Sequence, residues 1–179
     1  FIAHSLKQKK NISSNLEKKL RDERYRFFEK TLEKNSILFM GHHLDDLIET
    51  FFLRALRGSG IEGLSSIPKE RELGKGMLAR PFLNISKSEI LAKAKKDKLK
   101  FIKDPSNKDI SFDRNYLRNK VLPEIEKRWP SYRKNLKQLT ENLKESSDLL
   151  LTHAAKDFDG VKVNKNLISL KKFLNLSKI

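Results

Sequence analysis

Apolar residues fall on helical spacing early in the chain, at Leu16, Leu20, Phe27, Phe28 and Leu32. Ser14 followed by Glu17 has the form of a capping box, so a helix is predicted from about Ser14 to Glu33, broken by Asn35-Ser36. Ile37-Leu38-Phe39-Met40 is a short, wholly apolar run before a Gly41-His42-His43 turn, and reads as a buried parallel strand. Leu44 to Leu56 returns to helical spacing and stops at Gly58-Ser59-Gly60.

Turn chemistry follows, with Pro68, Gly74 and Gly76 around a charged segment. Met77 to Arg80 predicts a second strand, stopped by Pro81. Ser86 and Glu89 form another capping box, opening a helix to about Lys98, and Leu99 to Ile102 predicts a third short strand. Asp104-Pro105-Ser106-Asn107 is a loop by composition. Beyond Phe112 the alternation fades. A helix carrying Arg114, Asn115 and Arg118 runs toward Pro123, and another spans about Ser131 to Ala155 with Leu136, Leu139, Leu143 and Leu150. Val161 and Val163 hint at a strand after Gly160, and Ile168 to Leu176 at a last helix. This predicts an α/β half followed by a helical half, joined near residues 110–125.

The segment from Gly41 to Thr50 stands where an open α/β fold holds its ligand, in the loop after a parallel strand entering a helix. At about 100° per residue, His43, Asp46, Thr50, Arg54 and Arg57 share one stripe, while Ile48, Phe51, Phe52 and Ala55 share another face. Ionic groups on a mostly buried helix are costly unless paired or bound to something. A helix N-terminus favours phosphate, and acidic groups beside it favour a phosphate-bridging metal. The plainer alternative is that Asp45 and Asp46 complement the helix dipole and His43 caps the helix.

A net charge of +16 on 179 residues points to a polyanionic partner, with nucleic acid first. Lysines beside glutamates, as at Glu17-Lys18-Lys19, are also an ordinary solvated pattern. Zero cysteines exclude disulfides, thiolate metal sites and a Cys nucleophile within this sequence, and agree with a cytoplasmic location. No apolar run is long enough for a bilayer, and the start has no basic head before an apolar core, so neither a membrane nor a signal peptide is expected.

The run Gly41-His42-His43-Leu44-Asp45-Asp46-Leu47-Ile48-Glu49-Thr50, continued through Arg57-Gly58-Ser59-Gly60 to Leu64, resembles the tRNA(Ile)-lysidine synthetase family of N-type ATP pyrophosphatases. Three further blocks agree: Arg80-Pro81 with Ser86 to Ile90; Asp104 to Asp109 with Phe112, Arg114, Asn115 and Arg118; and Val121-Leu122-Pro123 with Trp129-Pro130. The Gly41 to Thr50 part alone is shared with tRNA thiolases, which commonly use cysteines. The Arg57-Gly58-Ser59-Gly60 loop and the block from Asp104 to Asn107 with Arg114, Asn115 and Arg118 favour lysidine synthetase. A tRNA 2-thiolation enzyme and a non-catalytic basic tRNA-binding module stay open as alternatives.

The resemblance implies a parallel-sheet, adenine-nucleotide α-hydrolase-like (Rossmann-like) domain followed by a smaller helical domain. Residues 1–120 would be the C-terminal part of the catalytic domain, and 121–179 a helical tRNA-binding or linker domain. It implies ATP and Mg2+ as cofactors, with free L-lysine and a tRNA(Ile) bearing a CAU anticodon as partners; a homodimer is left open. The family's SGGxDS phosphate loop is not in this sequence and is expected upstream of Phe1, with a tRNA-binding tail past Ile179, so these 179 residues alone are expected not to turn over ATP.

By resemblance, Asp46 would bind magnesium or orient the lysine amine, and His43 would hold the nucleotide or its phosphates. Glu49, off the main stripe, joins them in the ATP and magnesium site, with Arg57, Gly58, Ser59 and Gly60 as a flexible loop touching nucleotide or RNA. Arg114 would act in catalysis. Arg114, Asn115 and Arg118 would reach the activated base or the tRNA backbone, the alternative being a salt-bridged junction between domains. Arg54 and Arg80 are further tRNA contacts, unless Arg80 only supports a strand edge, and Trp129 is expected in the core.

Overall fold

The computed structural model describes residues 16–65, 67–102, 104–164 and 167–176. Helix α1 (Leu16–Thr31) leads to strand β1 (Ile37–Phe39) and helix α2 (Leu44–Ala55). A short α3 (Ile61–Leu64), strands β2 (Glu70–Leu73) and β3 (Gly76–Ala79), and α4 (Lys87–Lys96) follow. The expected α1 cap at Ser14 lies outside the described residues. The break does not: Asn35 takes a left-handed φ of 64° just before β1.

The sheet has the order β1-β3-β2. β1 and β3 are parallel, with Ile37, Leu38 and Phe39 opposite Met77, Leu78 and Ala79. β2 is an antiparallel partner of β3 that the sequence pattern did not suggest. Its Glu70-Arg71-Glu72 is too charged to look like a strand, but only Leu73 must be buried at this sheet edge. Gly74 makes the two-residue turn work. Its φ is +60°, and a Cβ there would meet the Glu29 carbonyl oxygen at 2.6 Å. β1 is parallel as expected but not buried: Ile37 is 55% and Phe39 68% exposed.

The third strand expected at Leu99–Ile102 does not form. Lys98 turns into the left-handed region after α4, no described strand pairs with this run, and Ile102 is 97% exposed. A 3-10 turn (Pro105–Lys108) then leads to one long helical run: α5 (Asp113–Tyr116), a π-helical turn (Leu117–Val121) and α6 (Leu122–Arg128). Pro123 sits in the first turn of α6, directly after the π-helical turn. The 30-residue α7 (Tyr132–Val161) runs past its expected end, through Gly160. The antiparallel pair β4 (Lys162–Asn164) and β5 (Leu167–Ile168) and the short α8 (Leu170–Leu174) close the described chain.

The core gathers Leu44, Leu47 and Ile48 of α2 with Leu83, Leu117, Leu122 and Tyr132. Residues on both sides of position 120 therefore share one hydrophobic cluster, and α2 is its centre. Trp129 is not in it. It caps the C-terminal end of α6, where the chain turns into α7, and is 62% exposed. Among the described residues no helix is long and apolar enough to cross a membrane.

Candidate active site at the head of helix α2

His43 is the N-cap of α2, in extended conformation. Its Nδ1 accepts from the Asp46 backbone N–H at 3.3 Å, and the Asp46 carboxylate accepts from the His43 N–H at 3.0 Å. This reciprocal box satisfies two otherwise orphan donors of the first turn. Asp45 points elsewhere. It accepts from the Lys87 N–H at 2.7 Å and from Arg133 Nε at 3.0 Å, tying α2 to the start of α4 and to α7. Burial by itself would raise the Asp45 carboxyl; the Lys87 N–H and the Arg133 guanidinium outweigh it and hold the group below its usual range. Arg133 also pairs with Glu126 of α6 and lies over the Tyr132 ring, 4.8 Å from its centre.

One turn further, Glu49 is fully buried. Arg118 donates to its Oε1 from Nε at 2.6 Å and to its Oε2 from Nη2 at 2.8 Å, and Arg114 donates to Oε2 from Nε at 2.9 Å. Arg114 also reaches the Thr50 hydroxyl at 3.1 Å and the Asp46 carbonyl at 3.5 Å. Arg118 Nη2 is 3.6 Å from the Asp46 carboxylate. The Glu49 hydrogen bonds hold the Arg118 guanidinium above its usual value, against the effect of burial. A buried carboxylate with both oxygens occupied by guanidinium donors offsets its desolvation in the way such groups must.

Glu49, off the main stripe by spacing, is buried and holds Arg114 and Arg118 with both carboxylate oxygens. The two arginines link α2 to the run from α5 to α6 through Glu49. Arg118 continues to the Asn107 side-chain oxygen at 3.3 Å, and Asn119 donates to the Asn107 carbonyl at 3.0 Å. Asn115 faces away from α2, donating to the Ser106 and Asp109 carbonyls at 2.9 and 2.8 Å, and so shapes the 104–109 turn.

The remaining expected residues do not converge on this cluster. Arg57 and the Gly58-Ser59-Gly60 segment lie at the far end of α2, about 20 Å from His43 at 1.5 Å per residue. Arg57 pairs with Asp113 at 3.4 Å on the surface. Gly58-Ser59-Gly60 is a hydrogen-bonded turn into α3, with Gly58 at φ +73° and the Ser59 N–H donating to Arg54. Arg54 donates to the Gly63 carbonyl at 2.7 Å. Arg80, expected as a tRNA contact or a strand-edge support, is 3% exposed and donates inward from the end of the central strand β3.

Magnesium needs several oxygen ligands. Asp46 gives one oxygen to the capping box and holds the other near Arg118, and Asp45 and Glu49 are taken up by N–H donors. Among the described residues no group of three or more His, Cys, Asp or Glu could hold a metal. These residues do not form a protein-only magnesium cage; at a phosphate site magnesium takes one or two carboxylates with the phosphates and water, and Asp46 is the carboxylate placed to join such a set.

Two features escaped the sequence reading. His42 lies in the turn three residues past β1 and Arg80 one residue past β3, and the two meet beyond the C-terminal ends of adjacent parallel strands. Asp45 has partners beyond the helix dipole, the Lys87 N–H 42 residues on and Arg133 88 residues on. The Arg80-Pro81 block was the one available signal for the first; nothing local signals the second.

Known proteins complete the picture. Residues 2–125 match the PP-loop domain family. The chain is 40% identical over 82% of its length to a tRNA(Ile)-lysidine synthase of Pseudomonas aeruginosa, covering 33% of that protein. It is 39% identical over 88% of its length to one from Legionella pneumophila (strain Lens), covering 36%, and 45% identical over 79% to one from Buchnera aphidicola, covering 32%. The chain thus spans about a third of the length of the curated relatives it matches.

Proposed function

The chain belongs to the PP-loop domain family, and on that premise we propose that it serves the tRNA(Ile)-lysidine synthase reaction. ATP is the activating substrate. The O2 of cytidine 34 in a CAU-anticodon tRNA(Ile) attacks the α-phosphorus, and pyrophosphate leaves. The ε-amine of free lysine then attacks C2, loses a proton, and displaces AMP to leave lysidine. Identity of 39–45% to lysidine synthases across most of the chain is the observation that carries this reading.

The geometry supports it. Both steps move negative charge onto phosphate oxygens, which fixed donors stabilise best when held before the reaction begins. Glu49 holds Arg114 and Arg118 in that way, and their side chains remain 30% and 21% exposed. His43 and Asp46 stand at the α2 N-terminus, beside the strand ends where open α/β sheets bind ligands. The excess of basic residues suits a tRNA partner.

The test uses the complete gene product with labelled ATP. Pyrophosphate release should require the CAU transcript, and AMP release should require lysine as well. Pyrophosphate release indifferent to the transcript would contradict the proposal.

A further inference from the structure

Arg80 is almost wholly buried, and all three of its donor nitrogens point inward. Nη1 donates to the Pro68 carbonyl at 2.6 Å, Nη2 to the Tyr25 hydroxyl at 3.5 Å, and Nε to His42 Nδ1 at 3.3 Å. Tyr25 is itself held by Arg21 and Arg71, whose guanidinium carbons lie 5.5 and 5.1 Å from its ring centre. A guanidinium does not give up its proton in a protein, so Nε is always a donor and Nδ1 of His42 is always the acceptor. The His42 proton then sits on Nε2, on the opposite side of the ring.

His42 leaves the end of β1 and shares its electrostatic surroundings with Asp46 and Arg114 of the site. Burial and the Arg80 charge, with Arg114 and Arg21 behind it, disfavour the imidazolium, while Asp46 works the other way; the balance keeps His42 below its usual value.

We propose that Arg80 is a positioning residue that locks His42 as a neutral, Nε2-protonated donor, and that this N–H binds a phosphoryl oxygen of the nucleotide. The acceptor rests on the ATP-using reading above; the lock does not. A neutral donor of fixed direction can follow a phosphate through adenylation without an extra charge that would hold the product back.

Nitrogen NMR of histidine-labelled protein, with His42 assigned through His42→Gln, tests the lock. His42 is expected to show a proton on Nε2 alone at neutral pH, and Arg80→Lys or Arg80→Met to mix the tautomers. A proton on Nδ1, or an unchanged tautomer in a folded Arg80 variant, overturns the lock. Because these variants remove a buried side chain and can unfold, His42 itself supplies a second arm. Gln places its amide where Nε2 stands, and Asn where Nδ1 stands. KM for ATP in the complete enzyme should rise at least 10-fold more for His42→Asn than for His42→Gln; equal losses overturn the donor role. Failure of ATP to bind at all overturns the nucleotide reading and this acceptor with it, while the tautomer still decides the lock.

Discussion

The carboxylate of Glu49 meets the guanidinium of Arg118 at two points, 2.6 and 2.8 Å, across 69 residues of chain. With Arg114 this pair fastens the helix that heads the site to the helical run that follows it. Replacing Glu49 by Ala leaves two guanidinium groups facing a cavity. Stability should fall by about 3 kcal/mol, the lower end for a broken buried pair because both arginines are partly wetted. Glu49→Gln keeps the shape and loses the charge, and should cost about 1–2 kcal/mol. Urea unfolding measures both, and an Ala variant as stable as the parent would refute the anchoring role.

Asp45 should give the fold a pH dependence. Its carboxyl is depressed in the folded protein by the Lys87 N–H and Arg133, which outweigh burial. Such a group adds stability that is complete above its unfolded value of about 4 and is lost as pH falls through the folded value. The stability gap between the parent and Asp45→Asn should therefore be full at neutral pH and close below about pH 4. A gap that persists unchanged into acid would contradict this.

Tyr132 is buried in the core, and its hydroxyl has no hydrogen-bond partner among the described residues. Burial raises its pKa to about 12. Tyr132→Phe removes an unsatisfied polar group and keeps the ring under Arg133, so it should be neutral or stabilise by about 1 kcal/mol. A loss larger than about 1 kcal/mol in thermal unfolding would show that the hydroxyl has a partner.

How much of this could be read in advance follows from the range of each interaction. The Ser86–Glu89 box and the Asn35 break are local, and both stand in the structure as the sequence suggests. The parallel strand at Ile37 and the helix from Leu44 followed from apolar period and turn position. Glu49 was undervalued because helical spacing ranks faces of one helix and says nothing of arginines 65 and 69 residues away. Leu99–Ile102 failed because apolar content does not make a strand without a neighbour to pair with. Trp129 failed because its size suggested burial, while its place at a turn between two helices leaves it wet.

The most direct measurement is mass spectrometry of a nuclease digest of the CAU transcript after reaction with the complete protein, ATP and lysine. The anticodon fragment should gain one lysine less one water, on cytidine 34, and the gain should disappear in Asp46→Ala. An anticodon fragment of unchanged mass, under conditions where ATP binds, would contradict the proposed function.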